Sequence, residues 1–172
     1  MNPTPNREIL DAEAIYAKLR EQLAAALAAE PGHEVHLIGI HSGGAWIAER
    51  LHEDLALSAP LGTLSSAFHR DDFGRRGLPA EMKSSELPFE IAGADIVLID
   101  DILYTGRTVR AALNELFDYG RPARVRLAVL LDRGGRELPI EAAFCGLRRP
   151  LSADHAFALD RDEQNQFTLS IE

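Results

Sequence analysis

A single cysteine, Cys145, stands in 172 residues. One thiol cannot close an intramolecular disulfide, and it rules out a cysteine-built metal site. Cys145 therefore reads as a small buried hydrophobe. No apolar run approaches the roughly 18 residues that a membrane span needs. The opening residues, MNPTPNREILDAEAIY, lack the basic-then-apolar order of a secretory signal. Positive charge is scarce too: 18 Lys and Arg against 27 Asp and Glu give −9 at pH 7. That balance argues against a nucleic-acid coat or a membrane-surface protein, although it leaves room for a local basic patch. His33, His36, His52, His69 and His155 show no metal-ligand spacing, so no zinc site is expected. Repeats, low-complexity tracts and linkers are absent from the pattern. What remains is a cytoplasmic chain, 1–172, folded as one domain with a sizeable core.

The periodicities outline its elements. Residues 1–8 are polar and read as frayed. Ile15, Leu19, Leu23, Ala26 and Leu27 recur at helical spacing, giving an amphipathic helix over about 10–29 that Pro31-Gly32 ends. Val35–Ile40 is a buried strand, Ala45–Leu55 a helix, and Leu61–Phe68 a broken strand. His69–Glu90 mixes charge, glycine and proline without period, as functional or disordered loops do. Asp95–Asp101 is the central strand, Thr108–Tyr119 its helix, and Val125–Leu131 a further buried strand. After Gly134-Gly135 the chain reads as irregular until short strands at Phe157–Leu159 and Phe167–Leu169. Trp46 reads as core. Strands alternating with helices imply an α/β domain whose sheet is mainly parallel. Its ligands belong at the carboxyl ends of the strands.

The most informative stretch is Val97–Val109, VLIDDILYTGRTV. An apolar strand runs into two adjacent carboxylates, Asp100 and Asp101, placed where that strand should end. A small turn, Tyr104–Thr108, then opens a helix. A turn at a helix start offers backbone N–H groups and the positive end of the helix dipole, which suits a phosphate. Gly106 permits close approach, and Thr105 and Thr108 add hydroxyls. The carboxylates can accept from sugar hydroxyls or hold Mg²⁺, directly or through water. A ribose 5-phosphate seat is the chemical reading; a solvated acidic strand end with an ordinary helix cap is the plain alternative. Gly39–Gly44, GIHSGG, is a second strand-to-helix turn suited to an anion, or else glycine needed only for packing. Asp132-Arg133 follows a buried strand, so neither side chain is expected in the core.

VLIDDILYTGRTV resembles the phosphoribosyl-diphosphate (PRPP) signature of type I phosphoribosyltransferases. The continuation Arg121–Ile140, RPARVRLAVLLDRGGRELPI, is similar to the PyrR-type proteins, pyrimidine operon attenuators that also act as uracil phosphoribosyltransferases. Weaker similarity runs from about Ile9 onwards. The resemblance implies a type I phosphoribosyltransferase fold, with a mainly parallel central sheet flanked by helices. A small C-terminal hood over about 136–160 and a mobile loop over about 69–90 complete it. The implied reaction is uracil plus PRPP to UMP plus pyrophosphate, with Mg²⁺ as cofactor.

In that picture Asp100 and Asp101 hold the ribose hydroxyls, and Thr105, Gly106, Arg107 and Thr108 hold the 5-phosphate. His41, Ser42, Gly43 and Gly44 form the pyrophosphate loop, often built across a cis peptide in the family. Relatives carry a basic residue in that loop, so here His41, Ser42 and backbone N–H groups would serve as donors. Arg70 would reach the leaving group from the mobile loop, with Arg75 and Arg76 nearby. Tyr104, Asp132 and Arg133 would line the base, Asp132 accepting a ring N–H or binding Mg²⁺; Arg136 and Glu137 share the family pattern. Purine-salvage relatives carry an acidic residue where Tyr104 stands, and a phenol is a poor base at neutral pH, so uracil is expected over purines. The implied partners are PRPP, uracil, UMP or UTP, and further copies of the chain, with no membrane and no DNA. A competing class is an RNA-binding regulator that uses the pocket as a nucleotide sensor. Binding to a pyrimidine leader RNA is expected to be weak. The first helix has only Lys18 and Arg20, and Arg110, Arg121, Arg124, Arg126, Arg148 and Arg149 would have to gather across a two-fold axis.

Overall fold

The computed structural model describes residues 7–65 and 84–172. Arg70, Arg75 and Arg76 of the expected mobile loop lie outside the described residues. Five strands form one parallel sheet in the order β3-β2-β4-β5-β6. They are β2 (Val35–Ile40), β3 (Gly62–Leu64), β4 (Asp95–Leu103), β5 (Arg124–Asp132) and β6 (Phe144–Arg148). Helices α1 (Ala12–Ala29), α2 (Gly43–Asp54) and α3 (Arg107–Tyr119) cover it.

The alternation of side chains along the strands decides which helix lies on which face. Val35 and Leu37 of β2, Val97 and Ile99 of β4, and Ala128 and Leu130 of β5 pack with Ile15, Leu19 and Leu23 of α1 and Ile47 and Leu51 of α2. The intervening residues, Ile38, Ile40, Ile96, Leu98, Leu127 and Val129, pack with Val109, Ala112 and Leu116 of α3. Asp11 caps α1, its carboxylate accepting from the Ala14 N–H at 3.0 Å, which satisfies one orphan donor of the first turn. Trp46 is half-buried against the first cluster, with the Arg161 guanidinium 5.1 Å from its ring centroid. Cys145 is half-buried in β6, and its thiol donates to the Leu147 carbonyl.

Three elements depart from the sequence reading. Glu8–Leu10, expected to be frayed in part, is a strand, β1, antiparallel to β8 (Phe167–Ile171). With β7 (Phe157–Arg161) they form a second sheet, β1-β8-β7. Phe144–Arg148, inside the segment assigned to the hood, is instead the fifth strand of the main sheet. The last part of the expected loose segment is anchored: Glu86 and Thr63 exchange backbone hydrogen bonds at 2.8 and 2.9 Å, and Phe89 stacks on His36 with 3.8 Å between centroids.

Among the described residues, two ion pairs fasten the second sheet to the helices. Arg161 of β7 donates to Glu49 of α2 at 2.7 Å, and the other pair centres on Glu13. Arg50 of α2 donates to both oxygens of Glu13 at 2.9 and 2.7 Å. Glu13 also accepts from the Phe167 N–H at 2.8 Å, and the guanidinium lies 4.2 Å from the Tyr16 centroid. One carboxylate thus joins α1, α2 and β8.

A denser network closes the amino edge of the main sheet. Asp95, 3% exposed at its side chain, meets Arg124, Arg126 and His33, and Arg124 also holds Glu30 at 2.7 Å. Glu30, His33 and Asp95 bring three ligand-type atoms within 4.8 Å of one another. Arg124 already bridges both carboxylates, so a guanidinium fills the role of a cation there.

Burial alone would raise the Asp95 carboxyl, but its bonds to Arg124 and His33 and the nearby Arg126 charge hold it below its ordinary range. Bonding to Arg50 lowers Glu13 likewise. A carboxyl depressed on folding contributes stability that is complete above its unfolded pKa and is lost as pH falls through its folded one. Urea midpoints should therefore drop steeply below about pH 4. Asp95→Asn should cost about 1.5–3 kcal/mol at neutral pH, the scale of charged hydrogen bonds, and should flatten the acid limb. A variant as stable as the parent with an equally steep limb would show that the network contributes nothing.

Candidate active site

Three loops leave the carboxyl edge of the parallel sheet, as the α/β pattern requires. The first joins β4 to α3. Gly106 has φ 92°, a left-handed conformation that L side chains rarely adopt, and a Cβ there would lie 3.1 Å from the Ile140 side chain. Thr105 accepts from the Arg107 N–H through its hydroxyl at 3.2 Å. Its carbonyl accepts from the N–H groups of Glu137 and Leu138 at 2.9 and 3.1 Å. The first turn of α3 carries no acidic side chain, while Arg107 and Arg110 stand there. Cations at the positive end of a helix dipole are unfavourable, and an anion seated on the turn reverses the sign. Glu137 partly offsets Arg107, accepting from its Nε at 2.8 Å.

The acidic pair does not sit where the strand ends. Pairing with β5 carries β4 two residues further, to Leu103 opposite Asp132. Asp100 is consequently buried, with 5% exposure. Alternation directs it with Ile96 and Leu98 towards the α3 face, and Asp101 with Val97 and Ile99 towards the α2 face. Each carboxylate accepts from the next backbone N–H, Asp101 and Ile102 respectively, at 2.9 and 2.8 Å.

The other oxygen of Asp101 joins this strand to the glycine turn that starts α2. A Cβ on Gly43 would collide with Asp101 Oδ2, and one on Gly44 would collide with the Ile99 carbonyl. The paired glycines are what let the α2 start lie directly on the acidic strand. The His41–Ser42 peptide bond in this turn is cis, and Ser42 begins the helix without a side-chain capping bond. Carboxylate oxygens from Asp100 and Asp101 are the hard donors that Mg²⁺ prefers, and one or two protein carboxylates supplemented by substrate oxygens are its usual complement. The residues therefore fit that ion.

The third loop follows β5. Here the expectation that neither Asp132 nor Arg133 lies in the core is corrected: they are 5% and 6% exposed. Asp132 Oδ2 accepts from Arg136 at 2.7 Å and Arg148 at 3.1 Å, and Oδ1 accepts from the Gly134 N–H at 3.0 Å. Burial would raise this carboxyl, yet those donors hold it below the ordinary range. The Arg133 guanidinium lies 3.9 Å from the Tyr104 centroid and donates to the Ser152 carbonyl at 2.9 Å. Gly135 lies against the other part of the same ring, where a Cβ would collide with it. Tyr104 remains 37% exposed.

The structure thus brings Asp101 onto Gly43, and Tyr104 onto Arg133, while Asp132 faces two guanidiniums. Arg136 stands in the family pattern named from the sequence, whereas nothing there marks Arg148 as a partner of Asp132. The Asp132–Arg136 spacing of four was visible in the sequence; the approach of Arg148 from the neighbouring strand was not. Among the described residues, no helix is long and apolar enough to cross a membrane.

The chain as a whole is similar to known proteins. Residues 5–158 match the phosphoribosyl transferase domain, and the chain belongs to that family. Within it, the chain groups with the bifunctional PyrR proteins. It is 48% identical to the bifunctional protein PyrR of Ralstonia nicotianae, over 95% of each chain. It is 46% identical to that of Nitrosococcus oceani, over 96% of this chain and 94% of the other. The fold also superposes on a hypoxanthine-guanine phosphoribosyltransferase from Bacillus anthracis with a TM-score of 0.70, covering 97% of this chain and 100% of the other at 19% identity.

Proposed function

We propose that this protein, acting in the cytoplasm, transfers the phosphoribosyl group of PRPP to uracil, giving UMP and pyrophosphate. The observation that carries the reading is the contact of Asp101 with Gly43. It sets an acidic strand between two helix-start turns, one on each side of where a ribose would lie. Thr105–Thr108 seats the 5-phosphate, and His41–Gly44, with backbone N–H groups foremost, seats the pyrophosphate. Asp100 and Asp101 accept from the ribose hydroxyls and steady positive charge that grows on the ring as the C1′–oxygen bond breaks. Arg70, outside the described residues, is assigned by the family resemblance to the leaving group. Asp100 and Asp101 would hold Mg²⁺, which would supply neutralisation of the pyrophosphate charge. The protein's own contribution is orientation and electrostatics rather than covalent chemistry.

Tyr104 and Arg133 line the base. Their stacked ring and guanidinium offer a flat face and donors but no carboxylate beside a purine ring nitrogen. Asp132 assists through Arg136 and Arg148 instead of meeting the base alone. With PRPP and Mg²⁺, uracil should therefore outcompete hypoxanthine and guanine by orders of magnitude in kcat/KM, measured by product chromatography from mixed bases. Comparable rates with a purine would contradict the assignment of the base side.

The relatives' shared name, bifunctional, favours a second activity, and nucleotide-dependent binding of pyrimidine leader RNA by a self-associated form is the companion reading. It is secondary here. Arg124, Arg126, Arg148 and Arg149 each stand within 3.4 Å of a carboxylate, which offsets the charge that RNA phosphates would need. Arg124 and Arg126 also belong to the Asp95 network, so reversing their charge would disturb the fold before it reported on RNA.

A further inference from the structure

Arg136 lies behind the phosphate turn, with 24% of its side chain exposed. Every nitrogen of its guanidinium has a partner. Nε donates to the Ile140 carbonyl at 2.8 Å, one Nη to the Tyr104 carbonyl at 2.7 Å, and the other Nη to Asp132 Oδ2 at 2.7 Å. An arginine that gripped an anion in the site would present its fork outward. This one is turned onto the protein's own acceptors.

The acceptors it joins are informative. The Tyr104 carbonyl belongs to the peptide that also carries the Thr105 N–H, so its orientation sets where the turn's donors point. The Thr105 carbonyl, one peptide on, is held by the Glu137 and Leu138 N–H groups. Ile140, whose carbonyl Arg136 holds, is also the residue packed against Gly106. At its far end Arg136 holds Asp132, at the carboxyl end of β5. Without it, that carboxylate would keep, among the described residues, Arg148, whose side chain is 56% exposed, and the Gly134 N–H. A planar fork with fixed angles is what such a three-cornered connection requires, and an ammonium cannot reproduce it.

We infer that Arg136 is a positioning residue for phosphoribosyl transfer: a strut that aims the phosphate turn at PRPP and ties it to the base-side end of β5. The inference rests on the transferase reading. In Arg136→Ala the turn loses its outer restraint while the catalytic carboxylates are untouched. The KM for PRPP should rise about 100-fold, the scale of a displaced binding group, with the KM for uracil and kcat changing far less. Guanidinium ion at non-denaturing concentration should recover part of the PRPP affinity, and ammonium should not.

An unchanged KM for PRPP, with kcat lowered in proportion to the folded fraction, would overturn the inference and leave Arg136 a structural residue. If Arg136→Ala does not fold, Arg136→Lys takes its place. It should raise the KM for PRPP about tenfold, since misplacement by less than a full loss costs less, and an unchanged value would overturn the strut. If the parent chain makes no UMP, the transferase reading fails separately, and calorimetry with ribose 5-phosphate decides. Binding weakened about 100-fold in Arg136→Ala keeps the strut for a phosphate-binding turn. Equal binding, or none by the parent, refutes it.

Discussion

Asp101→Asn should fold as the parent chain does and lose about 10²–10³ of its UMP-forming rate, the usual consequence of removing one charge-stabilising group. The substitution is nearly isosteric. Its amide oxygen still accepts from the Ile102 N–H that Asp101 holds at 2.8 Å. The contact with Gly43 is retained in shape as well. What disappears is the negative charge that the proposed mechanism sets against the ribose, so the loss should fall mainly on kcat. Steady-state kinetics together with a melting curve separates the two effects. Near-normal kcat in folded Asp101→Asn and Asp100→Asn would remove the acidic pair from the mechanism. Asp100 is the less clean test, because it is buried at 5% exposure and an amide there must find a new donor–acceptor arrangement.

Gly43→Ala should be almost as damaging, by a different route. The added methyl collides with Asp101 Oδ2, and the side chain, rather than a backbone atom, is what must yield. Asp101 is pushed from its place, and an acid displaced by about an ångström costs on the order of 10²-fold in rate. Because the two residues act through one contact, their effects should not add. In an Asp101→Ala background, where the colliding carboxylate is gone, Gly43→Ala should cost little more. A full additional 100-fold loss in that background would mean that Gly43 acts on pyrophosphate by itself. Gly44→Ala is no substitute for this experiment, since its methyl meets the Ile99 carbonyl and would displace the strand.

The parts legible in the sequence were those whose causes are local. An apolar run followed by a left-handed glycine and an amphipathic helix specifies β4, its turn and α3 within about two dozen residues. The same logic reads β2 with α2, and the period of α1. What escaped depends on partners distant in the chain. β1 is only Glu8–Leu10 and exists because β8 offers a register, Glu8 opposite Ile171. FCGLR, the β6 segment, has an arginine, a glycine and a cysteine in five residues, and becomes a strand only because β5 presents an open edge. Charge normally marks a strand end, so the sequence alone puts the acidic pair there. Parallel pairing from Asp95 opposite Arg124 to Leu103 opposite Asp132 carried the strand past it.

The site divides in the same way. The β4–α3 turn, the acidic pair and the glycine turn are each contiguous, so each stands out as a segment of the sequence. Arg148 reaching Asp132 across 16 residues, or Arg124 reaching Glu30 across 94, has no local signature. The second of these bears on the weak RNA binding expected from the sequence. Arg124 and Arg126, two of the arginines weighed for RNA, belong to an ion-pair network at the amino edge of the sheet, remote from the site.

The most direct test of the central claim is conversion of uracil and PRPP to UMP by the purified chain with Mg²⁺, following UMP and pyrophosphate in the same reaction. The account predicts equal amounts of the two products, dependence on Mg²⁺, and near-complete loss in Asp101→Asn. No UMP from folded protein, or a rate unaffected by Asp101→Asn, would contradict it.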